Sequence, residues 1–252
     1  MILKKVRIDE NKKIAEKIFR LSVYCPEMAR ETKPGNFFEI KVGKTLDPLL
    51  RRPISIGLIE KDNLIFYYKV VGRGTKMMSD FDPGDYIDIL GPLGKSFPIK
   101  KGQKALVIGG GIGIAPLIYL AEILKINNNK VKFLGGFENI NQIYIEDLYS
   151  ILPPEQIQIY TDDGSKGKKG YPVQNLDTII TDFDVVYSCG PEILMKKINK
   201  ISLKNNKKVY HSLEEVMGCG VGVCMGCAVK TVEGYQLVCK DGPIFNGKDL
   251  SW

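Results

Sequence analysis

Ala105-Leu-Val-Ile-Gly-Gly-Gly-Ile-Gly-Ile-Ala-Pro116 joins an unbroken apolar run to a glycine-rich loop. A run without polar alternation is the pattern of a strand buried on both faces. The loop opens an apolar-periodic segment reaching about Ile126, which predicts a helix, and Pro116 suits its first turn. Glycines at such a turn offer free N–H groups and the positive end of a helix to a phosphate. Further apolar stretches, Val131-Lys-Phe-Leu134, Gln156-Ile-Gln-Ile-Tyr160 and Asp184-Val-Val-Tyr-Ser188, have helical segments between them. Strand and helix alternating over residues 99–208 predict a doubly wound parallel sheet, an α/β nucleotide domain. The loop reads G-x-G-x-x-P from Gly111 to Pro116 and lacks the third glycine of the dinucleotide fingerprint, so alone it is a weak signal.

Residues 1–98 follow another pattern. Phe37-Phe-Glu-Ile-Lys-Val42, Leu64-Ile-Phe-Tyr-Tyr-Lys-Val-Val71 and Tyr86-Ile-Asp-Ile-Leu90 are short and rich in β-branched and aromatic residues. Lys33-Pro-Gly35, Asp62-Asn63, Asp82-Pro-Gly-Asp85 and Gly91-Pro92 separate them as turns. Short strands at this spacing predict a small antiparallel β-barrel. It contains Leu50-Arg-Arg-Pro-Ile-Ser-Ile56, in which Arg52 can form a forked pair with a diphosphate.

Residues 209–252 carry the third signal, Leu213-Glu-Glu-Val-Met-Gly-Cys-Gly-Val-Gly-Val-Cys-Met-Gly-Cys227, with a fourth cysteine at Cys239. The spacing C-x4-C-x2-C-x11-C begins as a plant-type [2Fe–2S] ligand loop does. Intervening glycines allow backbone N–H groups to point at sulfur. Zinc competes, but zinc modules usually pair two C-x2-C units or add histidines, and His211 is the only histidine here. Two disulfides also compete, though nothing marks a secreted chain. Cys219, Cys224, Cys227 and Cys239 are the expected ligands of an iron–sulfur cluster. Met217 and Met225 are expected to pack around it and Gly242-Pro-Ile-Phe245 to cover it. His211 is expected to be structural, and Trp252 to close the fold or meet a partner.

The chain has 252 residues and a net charge of +7, and 44% of it is hydrophobic, enough for two or three small cores. Lysines are dispersed, apart from short runs at 166–169 and 204–208, and no nucleic-acid motif accompanies them. No apolar run is long enough to span a bilayer, and the expected location is the cytosol.

Arg52-Pro-Ile-Ser55 resembles the flavin motif R-x-[YF]-[ST] of the ferredoxin–NADP reductase superfamily, with Ile54 replacing the usual aromatic. The resemblance implies FAD bound by Arg52, Pro53, Ile54 and Ser55, with Ser55 near flavin N5. Tyr67, Tyr68 and Lys69 would lie along the flavin and adenine, and Gly74 and Thr75 would close over the phosphates. Gly91-Pro-Leu-Gly94 resembles the family's barrel-closing segment. The glycine loop likewise resembles the superfamily's G-G-G-x-G-x-x-P, and Ser188-Cys-Gly-Pro-Glu192 its C-G-P segment near the nicotinamide. These imply NAD(H) contacts at Gly110, Gly111, Gly113, Cys189, Gly190 and Pro191. Glu138 after the second strand of this region favours NADH over NADPH, while the lysines at 166, 168 and 169 oppose that choice. Barrel, nucleotide domain and cysteine loop in this order resemble the electron transfer subunits of dihydroorotate dehydrogenase B. That family implies an FMN-containing catalytic partner in a heterotetramer of two plus two, and electrons passing from FMN to [2Fe–2S] to FAD to NAD+. Related subunits serve hydrogenases and ferredoxin:NADP oxidoreductases. Some of those carry aspartate in place of the first cluster cysteine, which Cys219 does not match.

Overall fold

The computed structural model describes residues 1–43 and 45–252. Six antiparallel strands close a barrel: β1 (Ile2–Ala15), β2 (Ile18–Tyr24), β3 (Phe37–Ile40), β4 (Arg52–Glu60), β5 (Asn63–Lys69) and β6 (Tyr86–Leu93), in the order β1-β2-β5-β4-β3-β6. Ile8, Leu21, Phe38, Ile56, Phe66 and Ile89 fill it, as strand alternation demands. Two short helices cross its ends, α1 (Pro26–Glu31) and α2 (Arg73–Met78).

The second domain alternates as expected: β7 (Lys104–Gly110), α3 (Ala115–Ile126), β8 (Lys130–Phe137), α4 (Glu146–Ile151), β9 (Ile157–Thr161), β10 (Lys168–Lys169), α5 (Leu176–Ile179), β11 (Val185–Cys189), α6 (Glu192–Lys204) and β12 (Lys208–Ser212). The sheet order is β10-β9-β8-β7-β11-β12, all parallel, doubly wound about β7. The boundary expected at 208/209 falls inside β12, which pairs with β11 throughout and completes this sheet.

The remaining residues form a hairpin, β13 (Ala228–Thr231) and β14 (Gly234–Leu237), and then β15 (Ile244–Asn246), which adds antiparallel to β12. Phe245, in the segment expected to cover the cysteines, is buried in one small core with Cys227 and Cys239. Ile244 and Phe245 are buried, and their backbone ties the small module to the sheet edge.

Barrel and sheet are locked together. Helix α3 packs on β4. Arg20 of β2 bonds Glu10, Glu60 and, at 3.0 Å, Asp147 of α4. Tyr67 of β5 donates its hydroxyl to the same Asp147, and its ring lies 5.7 Å from that of Tyr144. Partly buried charge-assisted bonds of this kind fix orientation more than they add stability.

His211 has the structural role expected of it. It is fully buried in β12, with Nδ1 2.7 Å from Ser188 Oγ and Nε2 3.2 Å from Asn199 Oδ1. Burial holds its pKa down at about 3. The folded imidazole thus stays neutral where the unfolded one, near pKa 6.5, takes up a proton. Its contribution is complete above pH 6.5 and is lost as pH falls toward 3, at about 1.4 kcal/mol per pH unit. Urea unfolding at pH 7 and pH 5 should show wild type losing about 2 kcal/mol more than H211Q over that interval. Parallel losses in the two proteins would refute the assignment.

Candidate functional site

Doubly wound sheets take ligands outside the carboxyl ends of their strands, where the winding reverses. Here that point lies between Gly110 at the end of β7 and Cys189 at the end of β11. A cleft of about 850 Å³ lies there, lined by Gly110, Gly111, Gly113, Gly190 and Pro191. Gly113 has to be glycine, because a Cβ on it would sit 2.6 Å from Gly190 Cα. The two loops thereby present bare backbone to a ligand, a cradle that side chains would fill. Cys189 is the exception among the expected contacts. It is fully buried and does not line the cleft, and burial pushes its thiol well up, so it serves as packing.

Glu138 and Asp162 line the same cleft, and Gln142 donates to Glu138 Oε2 at 2.5 Å. Desolvation and the neighbouring Glu138 and Asp163 push the Asp162 carboxyl up. Lys166, Lys168 and Lys169 do not line it. They are exposed, and the last two form β10 at the sheet edge.

A second cleft, of about 940 Å³, opens on the barrel, and every barrel residue expected to touch a flavin lines it: Arg52, Pro53, Ile54, Ser55, Tyr67, Tyr68, Lys69, Gly74 and Thr75. Arg52 lies across Gly74, where a Cβ would come 2.0 Å from its Nε. Thr75 and Gly74 fall in the first turn of α2. The Thr75 hydroxyl accepts from the N–H of Val71 at 3.0 Å and of Gly72 at 3.2 Å. The first-turn N–H groups have no helical carbonyl to bond and remain for an anion. Tyr68 also holds the barrel together. Its hydroxyl donates to Asn11 at 2.9 Å and its ring stacks on Phe19, so it is anchored in the barrel.

The two clefts are continuous. Lys69, Ile112, Leu213, Glu214 and Glu215 line both. Glu214 is open to the cleft and enclosed by protein on its other sides, which pushes its carboxyl up; Cys189 Sγ lies 3.9 Å from its Oε1.

The same segment runs on into the cysteine loop. Cys219 Sγ accepts from the N–H groups of Val221, Val223 and Cys224, each at 3.4 Å. Burial opposes ionisation of Cys219, but these donors outweigh it and bring the thiol down to about 6. Cys227 Sγ accepts from the Cys239 N–H at 3.4 Å. Burial and the adjoining Cys227 push Cys239 up to about 12. Among the described residues no three ligand-type side chains converge as they would on one ion, and the thiols fall instead into the pairs 219/224 and 227/239. All six cysteines are free thiols, so the disulfide alternative fails. Clustered sulfur donors with amide N–H groups turned toward them suit a soft, sulfide-bridged metal pair. Cys227, Cys239 and Met217 are buried with Phe37 and Leu93 in a core of their own. Met225 is 59% exposed beside the exposed Cys224, in a turn where it holds φ +60°.

Residues 214–251 match the model of the iron-sulfur cluster binding domain of dihydroorotate dehydrogenase B. A dihydroorotate dehydrogenase B (NAD(+)) electron transfer subunit from Lysinibacillus sphaericus is 40% identical over 250 residues, covering 96% of this chain and 95% of that one. One from Clostridium acetobutylicum is 38% identical over 245 residues, covering 97% and 95%. The chain belongs to the family of dihydroorotate dehydrogenase B electron transfer subunits. Membership makes it an oxidoreductase subunit. A solved chain from an NADH-dependent reduced ferredoxin-NADP oxidoreductase superposes with a TM-score of 0.84 at 29% identity, covering 98% of this chain and 90% of that one.

Within this dihydroorotate dehydrogenase B family member, sequence reasoning missed several site residues. Glu214 was visible only as part of the cysteine motif, and nothing in its spacing says that it faces both clefts. Asp147 lies in α4 and Tyr144 in the irregular segment just before it, with no motif to mark either, yet Tyr144 donates to the carbonyls of Gly111 and Ile112 at 3.0 Å and so props the glycine loop. Trp252 lines the nucleotide cleft, its ring 4.8 Å from His211, so the fold-closing reading describes it better than a separate surface does. Among the described residues, no helix is long and apolar enough to cross a membrane.

Proposed function

We propose that this chain is the electron-transfer subunit of an NAD-dependent dihydroorotate dehydrogenase and works beside an FMN-containing catalytic subunit, two of each, in the cytosol. The observation that carries this is the continuity of nucleotide cleft, flavin cleft and cysteine loop through residues 213–219. In this reading Arg52 and the first turn of α2 hold the FAD diphosphate. Pro53, Ile54 and Ser55 back the ring, and Gly110–Gly113 with Gly190-Pro191 hold NAD(H). Cys219, Cys224, Cys227 and Cys239 ligate a [2Fe–2S] cluster. Bound there, a flavin exchanges a hydride with nicotinamide and single electrons with an iron–sulfur cluster.

The chain's own residues supply position and field. Arg52 meets negative charge with a planar fork. Gly113 and Gly190 let backbone close on the nucleotide. Glu214 stands at the junction of the clefts and offers a hydrogen bond to a group lying there. The pairing of barrel and sheet through Arg20, Tyr67 and Asp147 keeps the two clefts in register. The exposed end of the cluster loop is apolar, with Val223 at 78% and Met225 at 59% exposure on either side of Cys224, and is where the partner docks.

The complex, purified anaerobically with its partner from its own cells, should form NADH from dihydroorotate and NAD+. Failure to do so with flavin and cluster present, and bleached by NADH, would redirect the assignment to a hydrogenase or ferredoxin-linked complex. The identity with the ferredoxin-linked chain is 29%, against 40% for the dihydroorotate family.

Glu138 sets the nucleotide preference in this reading. Its carboxylate accepts from a ribose hydroxyl and repels a 2′-phosphate. Such a bond to a charged group is worth about 1.5–3 kcal/mol. E138Q should lower kcat/KM for NADH by roughly 10-fold or more and leave that for NADPH equal or higher, read by flavin reduction with each nucleotide. Equal losses with both nucleotides would count against it.

A further inference from the structure

Glu39 is an acid in the wrong place for a barrel residue. It lies on β3, is 1% exposed, and among the described residues neither carboxyl oxygen has a hydrogen-bond partner. Leaving a buried acceptor unpaired is costly, so a side chain kept in that state needs a reason. Arg51, the cation that acts on it most, is turned to Asp88, with Nη1 2.8 Å from Oδ1. What Glu39 does touch is the cysteine loop. A Cβ on Gly220 would lie 2.7 Å from Glu39 Oε1 and 2.6 Å from its Cγ. Gly220 also holds φ +69°, a conformation that only glycine takes without strain. Loop and carboxyl are therefore fitted to each other. In the backbone register Glu39 pairs across β3 and β4 with Pro53, next to Arg52.

We propose that Glu39 is a positioning residue for electron transfer: packed against Gly220 from a strand that pairs with the Arg52–Ser55 strand, its carboxyl group fixes the cysteine loop and sets the reduction potential of a cluster held there. The inference rests on the four cysteines binding a [2Fe–2S] cluster. Potentials of such clusters follow local charge and the hydrogen bonds around the sulfurs. Replacing the carboxyl with an amide removes negative character and adds N–H donors, and both changes favour the reduced cluster.

The test is a redox titration of the FAD-loaded, cluster-loaded subunit, followed by the electron paramagnetic resonance of the reduced cluster and by flavin absorbance. Iron and sulfide are counted per FAD. In E39Q the cluster midpoint should move to higher potential while the FAD midpoint stays put. Loss of iron from E39Q with FAD retained supports the same role, since the loop has then lost its support. E39D, which withdraws the carboxyl by one methylene, gives a second reading if E39Q does not fold. Wild-type midpoint and spectrum in the variant overturn the proposal. Wild-type protein that holds no cluster overturns the cluster reading itself, a result distinguishable from the first.

Discussion

Replacing Cys224 with serine is expected to cut electron delivery from the partner subunit by at least two orders of magnitude while NADH still reduces bound FAD at close to the wild-type rate. The size of the loss follows from removing one of four thiolates that together hold the metal pair. The selectivity follows from burial. Cys227 and Cys239 lie in the small core with Phe37 and Leu93, so changing them removes packing as well as a ligand. Cys224 is exposed and contributes nothing to that core. Its loss therefore separates the exit of electrons from the integrity of the module. Stopped-flow flavin bleaching by NADH, beside dihydroorotate-driven NADH formation in the complex, reads both halves. Loss of flavin reduction in a folded, FAD-containing variant would sink the division of labour between the barrel–sheet unit and the cysteine loop.

Arg52→Ala should weaken FAD binding by on the order of 100-fold or more. Two parallel bonds from a guanidinium to a diphosphate are each worth about 1.5–3 kcal/mol, and every 1.4 kcal/mol is a factor of ten. The barrel should keep its stability, because among the described residues the Arg52 side chain donates only to the Leu50 carbonyl. Arg52→Lys keeps the charge without the fork and should fall between the two. The FAD-to-protein ratio after gel filtration and a fluorescence titration of released flavin measure the effect. Full retention of FAD by the alanine variant would remove Arg52 from the phosphate site. The same experiment on Gly74→Ala approaches from the other side of the contact, since its Cβ would displace the guanidinium.

Much of this molecule was legible along the chain because its signals are local. The apolar run at Ala105–Ile108, the glycines that follow it, the short aromatic strands before it and the cysteine spacing after it each report on a few neighbouring residues. Strand periodicity, turn chemistry and ligand spacing are properties of such neighbourhoods, and they fixed the barrel, the parallel sheet and the candidate flavin, nucleotide and metal residues. Where local reading went astray, a distant partner decided the outcome. Ile244-Phe245 becomes a strand as well because the open edge of β12 offers it hydrogen bonds. Cys189 belongs to a cofactor-side motif and is nonetheless sealed inside. Glu39, a charged residue within an expected strand, is buried where a loop about 180 residues later settles over it. Sequence by itself determined which chemistry this chain can hold, since side-chain type and short spacing set ligands, turns and strands. Only the tertiary structure decided that the two clefts meet at Lys69, Ile112 and residues 213–215 and that the cysteine loop starts there, because that arrangement depends on packing between segments far apart in the chain.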